Sequence, residues 1–190
     1  MKTLKIFILF VLFQIFYATL LLSQNADEIK FINAAANGET DKVIRMIKKG
    51  IDINTSNQLK WSALAYAAKN GNMEIVKALI EKGADLEQKV NIGATPLQLS
   101  LINGYYEIAK LLIEKNADVN TKDMVGMTPI AWVAKGNEIN LAKLLIEKGA
   151  KVNAQNINGR TALDVSISTE MTNYLKSVGG KTSKEIFDGN

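Results

Sequence analysis

The side chains best able to do acid–base chemistry in this chain are carboxylates, and the most regular of them, Glu81, Glu114 and Glu147, stand 33 residues apart. Two carboxylates facing one cleft could hydrolyse a glycosidic bond, one as acid and one as base or nucleophile. Here each has a lysine four residues before it (Lys77, Lys110 and Lys143), and Glu74 and Glu107 lie among further lysines. Acid and base at i,i+4 are neighbours on the outside of a helix, so the pattern describes a solvated face. No acid pair stands out as facing a cleft. Gly180-Lys181-Thr182 has the ending of a phosphate-binding loop, but the glycine that should open such a loop falls at Leu175. Asp52-x-Asn54-x-Ser56 has the opening rhythm of a calcium loop, yet Asn57 replaces the turn glycine and Ala63 the closing glutamate. Asn54-Thr55-Ser56 is an N-glycosylation acceptor pattern, with meaning only in a eukaryotic secretory route.

The two missing residue types exclude more than any motif suggests. The chain has no Cys and no His. Disulfides, Cys/His zinc sites, Ser-His-Asp triads, Cys-His dyads and thiolate or imidazole haem ligation are therefore all ruled out. No catalytic, metal-binding or cofactor-binding residue is assigned, and the expected function is non-enzymatic, with no small-molecule substrate. Apolar content of 47% and charged content of 22% suit a folded chain.

The apolar residues are unevenly distributed. Lys2 and Lys5 precede the stretch Ile6–Leu22, in which Gln14 and Thr19 are the polar residues, and the next charge is Asp27. A basic start, an apolar stretch and a small residue near its exit make residues 1–23 a secretory signal peptide, with Leu21 and Ser23 before a cleavage site at Gln24. The alternative is an uncleaved anchor, since the stretch is near the lower length limit for spanning a bilayer. Both place the rest of the chain outside the cytoplasm, because Lys2 and Lys5 hold the N-terminus in. The expected location is periplasmic or secreted, with membrane attachment only if the leader is retained. Without the leader the chain carries 21 basic and 19 acidic residues. That near-balance, with no basic stripe interleaved with aromatics, argues against a nucleic-acid partner.

Removing residues 1–23 leaves 167, close to five units of 33, and the text repeats on that period. Ile80-Glu81-Lys82-Gly83-Ala84-Asp85 returns as Ile113-Glu114-Lys115-Asn116-Ala117-Asp118 and as Ile146-Glu147-Lys148-Gly149-Ala150-Lys151. Gly38, Gly71 and Gly104 are followed on the same period by Asn137, the non-glycine residue type best suited to left-handed backbone. Between these markers the sequence reads helix–turn–helix, as in Trp61–Lys69 and Met73–Lys82, with Ile75, Val76, Leu79 and Ile80 on one face. Thr95-Pro96-Leu97 and Thr128-Pro129-Ile130 open helices: threonine caps, and proline takes the first position, where no N–H is needed.

On these motifs, with the looser Ser62-Ala63-Leu64 and Thr161-Ala162-Leu163 and the endings typified by Ala117-Asp118-Val119-Asn120, the chain resembles the ankyrin repeat family. The resemblance implies an all-α solenoid of about five stacked helix–turn–helix units with short hairpin-like loops. The units run over about 27–57, 58–90, 91–123, 124–156 and 157–181, within a repeat domain of 24–181, before a polar tail at 182–190 that is expected to fray. The first unit, with Phe31-Ile32-Asn33 in place of Thr-Pro-Leu, and the shortened last unit read as caps.

The resemblance also implies a partner surface, formed by loop tips and first helices along a concave face. Carried over position by position, it takes in Gln58, Leu59, Trp61, Lys69 and Asn70 of the second unit, and Asn91, Ile92, Ala94, Ile102 and Asn103 of the third. In the fourth it takes in Met124, Val125, Met127, Lys135 and Gly136, and in the fifth Ile157, Asn158, Arg160, Ser168 and Thr169. Leu59, Trp61, Ile92, Met124, Val125, Met127 and Ile157 are apolar where a solvated tip would be polar, which suggests one ridge along the stack that meets a protein. The competing expectation is that each tip packs on the next. Tyr66 and Trp132, at equivalent positions, are expected to pack between units. The expected function is that of an exported interaction module and monomer whose partner is a protein, or else an accessory factor bracing an envelope or periplasmic enzyme. Where the family usually carries His after Thr-Pro-Leu, this chain has Ala65, Gln98, Ala131 and Asp164. That His ties neighbouring units together, so Gln98 and Asp164 are expected to replace it only in part and the stack to lean on apolar packing.

Overall fold

The computed structural model describes residues 26–189; the leader lies outside them. Among the described residues are eleven helices and no strand. The first, α1, covers 26–36. It is followed by α2 (Thr40–Lys48), α3 (Ala63–Asn70), α4 (Met73–Glu81), α5 (Pro96–Ile102), α6 (Tyr106–Glu114), α7 (Pro129–Gly136) and α8 (Ile139–Glu147). The last three are α9 (Ala162–Val165), α10 (Thr169–Ser177) and α11 (Ser183–Asp188). They pair as successive antiparallel hairpins, α1/α2 to α9/α10, which is the five-unit solenoid the period implies. None of the described helices is long and apolar enough to cross a membrane.

Local chemistry sets the helix ends. Thr95 is extended and caps α5: its hydroxyl accepts from Gln98 N–H while the Gln98 side chain accepts from Thr95 N–H. Pro96 and Pro129 take first-turn positions. Gly71 closes α3 with a left-handed φ of 79°, and Asn137 does the same for α7 at 60°. Asparagine thus fills the slot that glycine holds elsewhere, because its short polar side chain tolerates that conformation.

These turns fold each second helix back so that its apolar side meets the first. Ile75, Val76 and Leu79 of α4, Ile108, Ala109, Leu112 and Ile113 of α6, and Leu141, Ala142 and Leu145 of α8 are buried in one continuous core. Along the stack α3 packs on α5, α5 on α7 and α7 on α9. Small buried residues, Ala67, Ala68, Ser100 and Ala134, let these short helices approach closely. A unit cut out of this stack would expose both faces of its core, so stability belongs to the array.

One expectation changes. The tail does not fray from residue 182: Thr182 and Glu185 form a reciprocal capping box that starts α11. Its attachment is Asp164, whose carboxylate accepts from Ser183 N–H at 2.8 Å. The second-helix lysines and glutamates occupy an exposed face, but the ion pairs in contact among the described residues are Lys30–Asp27 and Lys42–Glu39. In water, ordering two long side chains offsets most of what such a pair gains.

Candidate partner-binding face

Each of the four loop tips between units is a tight turn closed at its base by the backbone. Asn57 N–H donates to Trp61 O, Val90 to Ala94 O, Asp123 to Met127 O and Asn156 to Arg160 O, at 2.9–3.2 Å. Three of the turns are braced by their first side chain. Asn57 Oδ1 accepts from the N–H groups of Leu59 and Trp61, Asp123 Oδ1 from Val125 and Met127, and Asn156 Oδ1 from Asn158 and Arg160. This recurring Asx brace was not singled out from the sequence. Its signal is Asn57, Asp123 and Asn156 on multiples of the 33-residue period.

The tips are also joined to one another. Asn91 N–H donates to Leu59 O at 3.1 Å, Met124 to Ile92 O at 3.2 Å and Ile157 to Val125 O at 3.2 Å. Gly126 shows how close the approach is: its φ is +74°, and a Cβ there would lie 2.8 Å from Ile157 N. Backbone bonds therefore hold the tips in register, and of the ridge side chains Trp61 adds a hydrogen bond to the next tip.

On this ladder the apolar side chains face water. Leu59 is 56% exposed, Ile92 46%, Met124 67% and Ile157 69%, with Val125 and Ile102 also exposed. At least one large apolar side chain is thus exposed at each of the four tips. A groove of about 610 Å³ beside the first tip, lined by Ile29 and Ser56–Leu59, continues this row toward the first unit.

Some of the expected surface residues turn inward. Met127 is 7% exposed and belongs to the core. Ala94, its counterpart one unit earlier, is buried too, in a small cluster with Ala65, Val90 and Leu99. Trp61 and Arg160 close their hairpins at the same position but are half-buried and exposed, so side-chain type decides: the uncharged Met127 and Ala94 join apolar clusters, whereas the Arg160 guanidinium stays in water. Ser168 caps α10, accepting from Met171 N–H at 3.1 Å, and its hydroxyl also donates to Asn137 Oδ1. Asn70 ties units by donating to Ala36 O at 2.8 Å.

Trp61 is half-buried and joins two units. Its ring centroid lies 4.8 Å from that of Tyr66, and its Nε1–H donates to Asn91 Oδ1 at 3.2 Å on the next tip. Lys69 sits over the Trp61 ring at 5.4 Å, and Lys135 over the Trp132 ring at 5.2 Å. Trp132 Nε1–H in turn donates to Asp123 Oδ2 at 3.0 Å. Tyr66 and Trp132 thus pack on the tip that joins their unit to the one before, and Asn57 Nδ2 reaches the Tyr66 hydroxyl at 3.3 Å. Asn91, Lys69, Lys135 and Arg160 are exposed on the same side as the tips.

The inter-unit polar links run behind this face. Gln98 is fully buried, and its Nε2 donates to Met127 O at 2.9 Å and Thr121 O at 3.3 Å, so it ties units fully where only partial replacement is expected. Asp164 Oδ2 accepts from Thr161 and Ser183; burial raises its pKa, but these hydrogen bonds outweigh that and hold it below the usual carboxylate value. With Ala131 at the same place in α7, Thr128 Oγ1 is buried without a hydrogen-bond partner. In the loops, Asn54, Asn120 and Asn153 each accept a backbone N–H from the next unit at 2.7–2.9 Å. Glu87 holds that position between them, and its pKa is raised, first by partial desolvation of the carboxyl and then by Asp118 and Asp85. Asp52 Oδ1 accepts from Asn54 N–H at 2.9 Å, so this polar cluster serves the loop itself.

A family model described as "Ankyrin repeats (3 copies)" matches residues 31–123, and one described as "Ankyrin repeats (many copies)" matches residues 130–176. Comparison with curated proteins finds no match.

Proposed function

The chain belongs to the ankyrin repeat family, and on that premise we propose that it is an exported, non-enzymatic module that binds a partner protein through its tips and concave face. Ankyrin repeats are in general protein–protein interaction modules. The observation that carries the reading here is the register of Leu59, Ile92, Met124 and Ile157, exposed on tips that backbone bonds already hold together. Because those bonds fix the ladder, the apolar side chains are not needed to brace it, and a preformed surface loses little entropy on binding. Export is supported by the basic, then apolar, leader of residues 1–23.

The test is affinity capture from the native envelope fraction with the natural chain and with a Leu59→Ser/Ile92→Ser/Met124→Ser variant. Proteins retained by the first should be lost by the second, with the unfolding midpoint unchanged because all three side chains are exposed. Equal capture by both would refute the tip surface. Intact mass of the exported chain checks the leader: a mass that includes residues 1–23 would replace the secreted form with an anchored one.

A further inference from the structure

On the tip face cations outnumber acids by two to one. Across the tip and first-helix segments 57–70, 90–103, 123–136 and 156–169 the cations are Lys60, Lys69, Lys135 and Arg160, and the acids are Asp123 and Asp164. Both acids are engaged internally: Asp123 with Val125 N–H, Met127 N–H and Trp132 Nε1–H, and Asp164 with Thr161 and Ser183. Among the described residues the ion pairs in contact are elsewhere, at Lys30–Asp27 and Lys42–Glu39. None of the four cations of this face is therefore in an ion pair; Arg160 Nη2 donates to the Asp164 backbone O at 2.6 Å, and Lys60, Lys69 and Lys135 flank exposed apolar side chains.

Two of these cations are held in place. Lys69 and Lys135 occupy the same position two units apart, with exposed Ile102 at that position between them. Each ammonium lies over a tryptophan ring that is itself hydrogen-bonded to a tip residue, Asn91 or Asp123. A ring fixes the ammonium but takes none of its N–H groups, which stay available to an acceptor outside. Lys60 adds to the same sign from a left-handed position, φ 60°, where the three following tips have glycine.

We propose that this face takes an extended, acidic protein segment, with one carboxylate on Lys69, another on Lys135 and an apolar side chain between them on Ile102. The inference rests on reading the tip face as a partner-binding surface. Helices packed 8–10 Å apart put the two lysines roughly 16–20 Å apart, which an extended chain at about 3.3 Å per residue spans in five or six residues. A nucleic acid would need cations following a continuous run of phosphates. Here the interval between the lysines is apolar, and that favours a peptide.

The experiment is selection of random twelve-residue peptides displayed against the full chain. Recovered peptides should carry Asp or Glu six residues apart, the even spacing that keeps both on one face of an extended chain, with an apolar residue between them. Their binding should weaken about tenfold in a Lys69→Gln/Lys135→Gln variant, as expected for the loss of two ion pairs at a partly desolvated contact. A Lys69→Glu/Lys135→Glu variant should bind instead the twin peptides in which Lys replaces the acids. Peptides without acidic bias, peptides indifferent to both lysine variants, or displacement of the peptides by single-stranded DNA would overturn the proposal. Binders lost in the Leu59→Ser/Ile92→Ser/Met124→Ser variant yet indifferent to the lysine changes would remove the acidic partner and leave the interaction surface. Failure to recover any peptide that this triple variant releases would count against both.

Discussion

Replacing Gln98 by alanine should destabilise the stack far more than an ordinary first-helix substitution. Gln98 is fully buried, and its side chain makes three well-defined bonds: Nε2 to Met127 O at 2.9 Å and to Thr121 O at 3.3 Å, and Oε1 from Thr95 N–H at 3.1 Å. Met127 O keeps a second donor, Asp123 N–H at 3.2 Å, and so is not orphaned. Thr95 N–H has no such reserve and is 1% exposed as a residue, so in the variant it is buried without an acceptor. Net loss of two bonds at about 1 kcal/mol each, with an orphaned donor at about 1–3 kcal/mol, gives a destabilisation of about 3–5 kcal/mol. For a chain of this size each kcal/mol moves the midpoint by about 2–4 °C, so the melting temperature should fall by roughly 6–20 °C. Far-UV circular dichroism against temperature, repeated in guanidinium chloride, reads both the shift and any loss of cooperativity. Because Gln98 links the third unit to the fourth, the transition should also broaden as the array splits at that joint. A fall of less than about 1 kcal/mol would show that Gln98 is no more than a space-filler, as Ala65 and Ala131 are, and that apolar packing alone holds the units.

The same reasoning runs the other way at Ala131. Ala131→Gln offers Thr128 Oγ1 a partner it lacks and should raise the unfolding free energy by about 1–2 kcal/mol, whereas a lower melting temperature would mean the site is too tight for the longer side chain. Glu87→Asn should stabilise by about 1 kcal/mol at neutral pH, restoring the donor that lets Asn120 and Asn153 reach Gly149 O and Gly179 O. The Glu87 pKa is raised on folding, so its native form prefers the proton; its contribution is fully present below the ordinary glutamate pKa and lost as pH rises through the raised one. Urea unfolding across that window should therefore show the natural chain losing stability, relative to Glu87→Asn, as pH increases. Lys60→Gly, at a left-handed position, should stabilise by about 1 kcal/mol in the same assay; no gain would mean that the lysine makes compensating contacts.

Much of the fold was legible because its determinants are local. Thr95-Pro96 and Thr128-Pro129 stand at helix starts and Gly71 and Asn137 at helix ends, since proline, glycine and asparagine act through the backbone of adjacent residues; the threonine cap itself forms at Thr95 and not at Thr128, whose hydroxyl has no partner. The tail was misjudged for a related reason. The Thr182/Glu185 box was readable as a helix start, but what keeps so short a helix is its tie to Asp164, 19 residues back. The binding face was legible as a set of repeat positions, and less so in its inward and outward members. Met127 and Met124 are the same residue type three apart on one tip, and the hairpin buries the first while leaving the second 67% exposed.

Sequence by itself determined the period, the helix–turn–helix unit, the count of units and the absence of imidazole and thiol chemistry. Each follows from residue identity and near-neighbour spacing, which need no knowledge of what packs against what. Tertiary structure decided which side chains of the tips meet water, that Gln98 carries inter-unit bonds and Asp164 the tie to the tail, and that Asp123 and Asp164 are hydrogen-bonded within the stack while Lys69 and Lys135 are in no ion pair. Those outcomes depend on groups 9 to 29 residues apart being brought within hydrogen-bond reach. Stacking does that at a distance of one unit, and the text of any one repeat does not contain it.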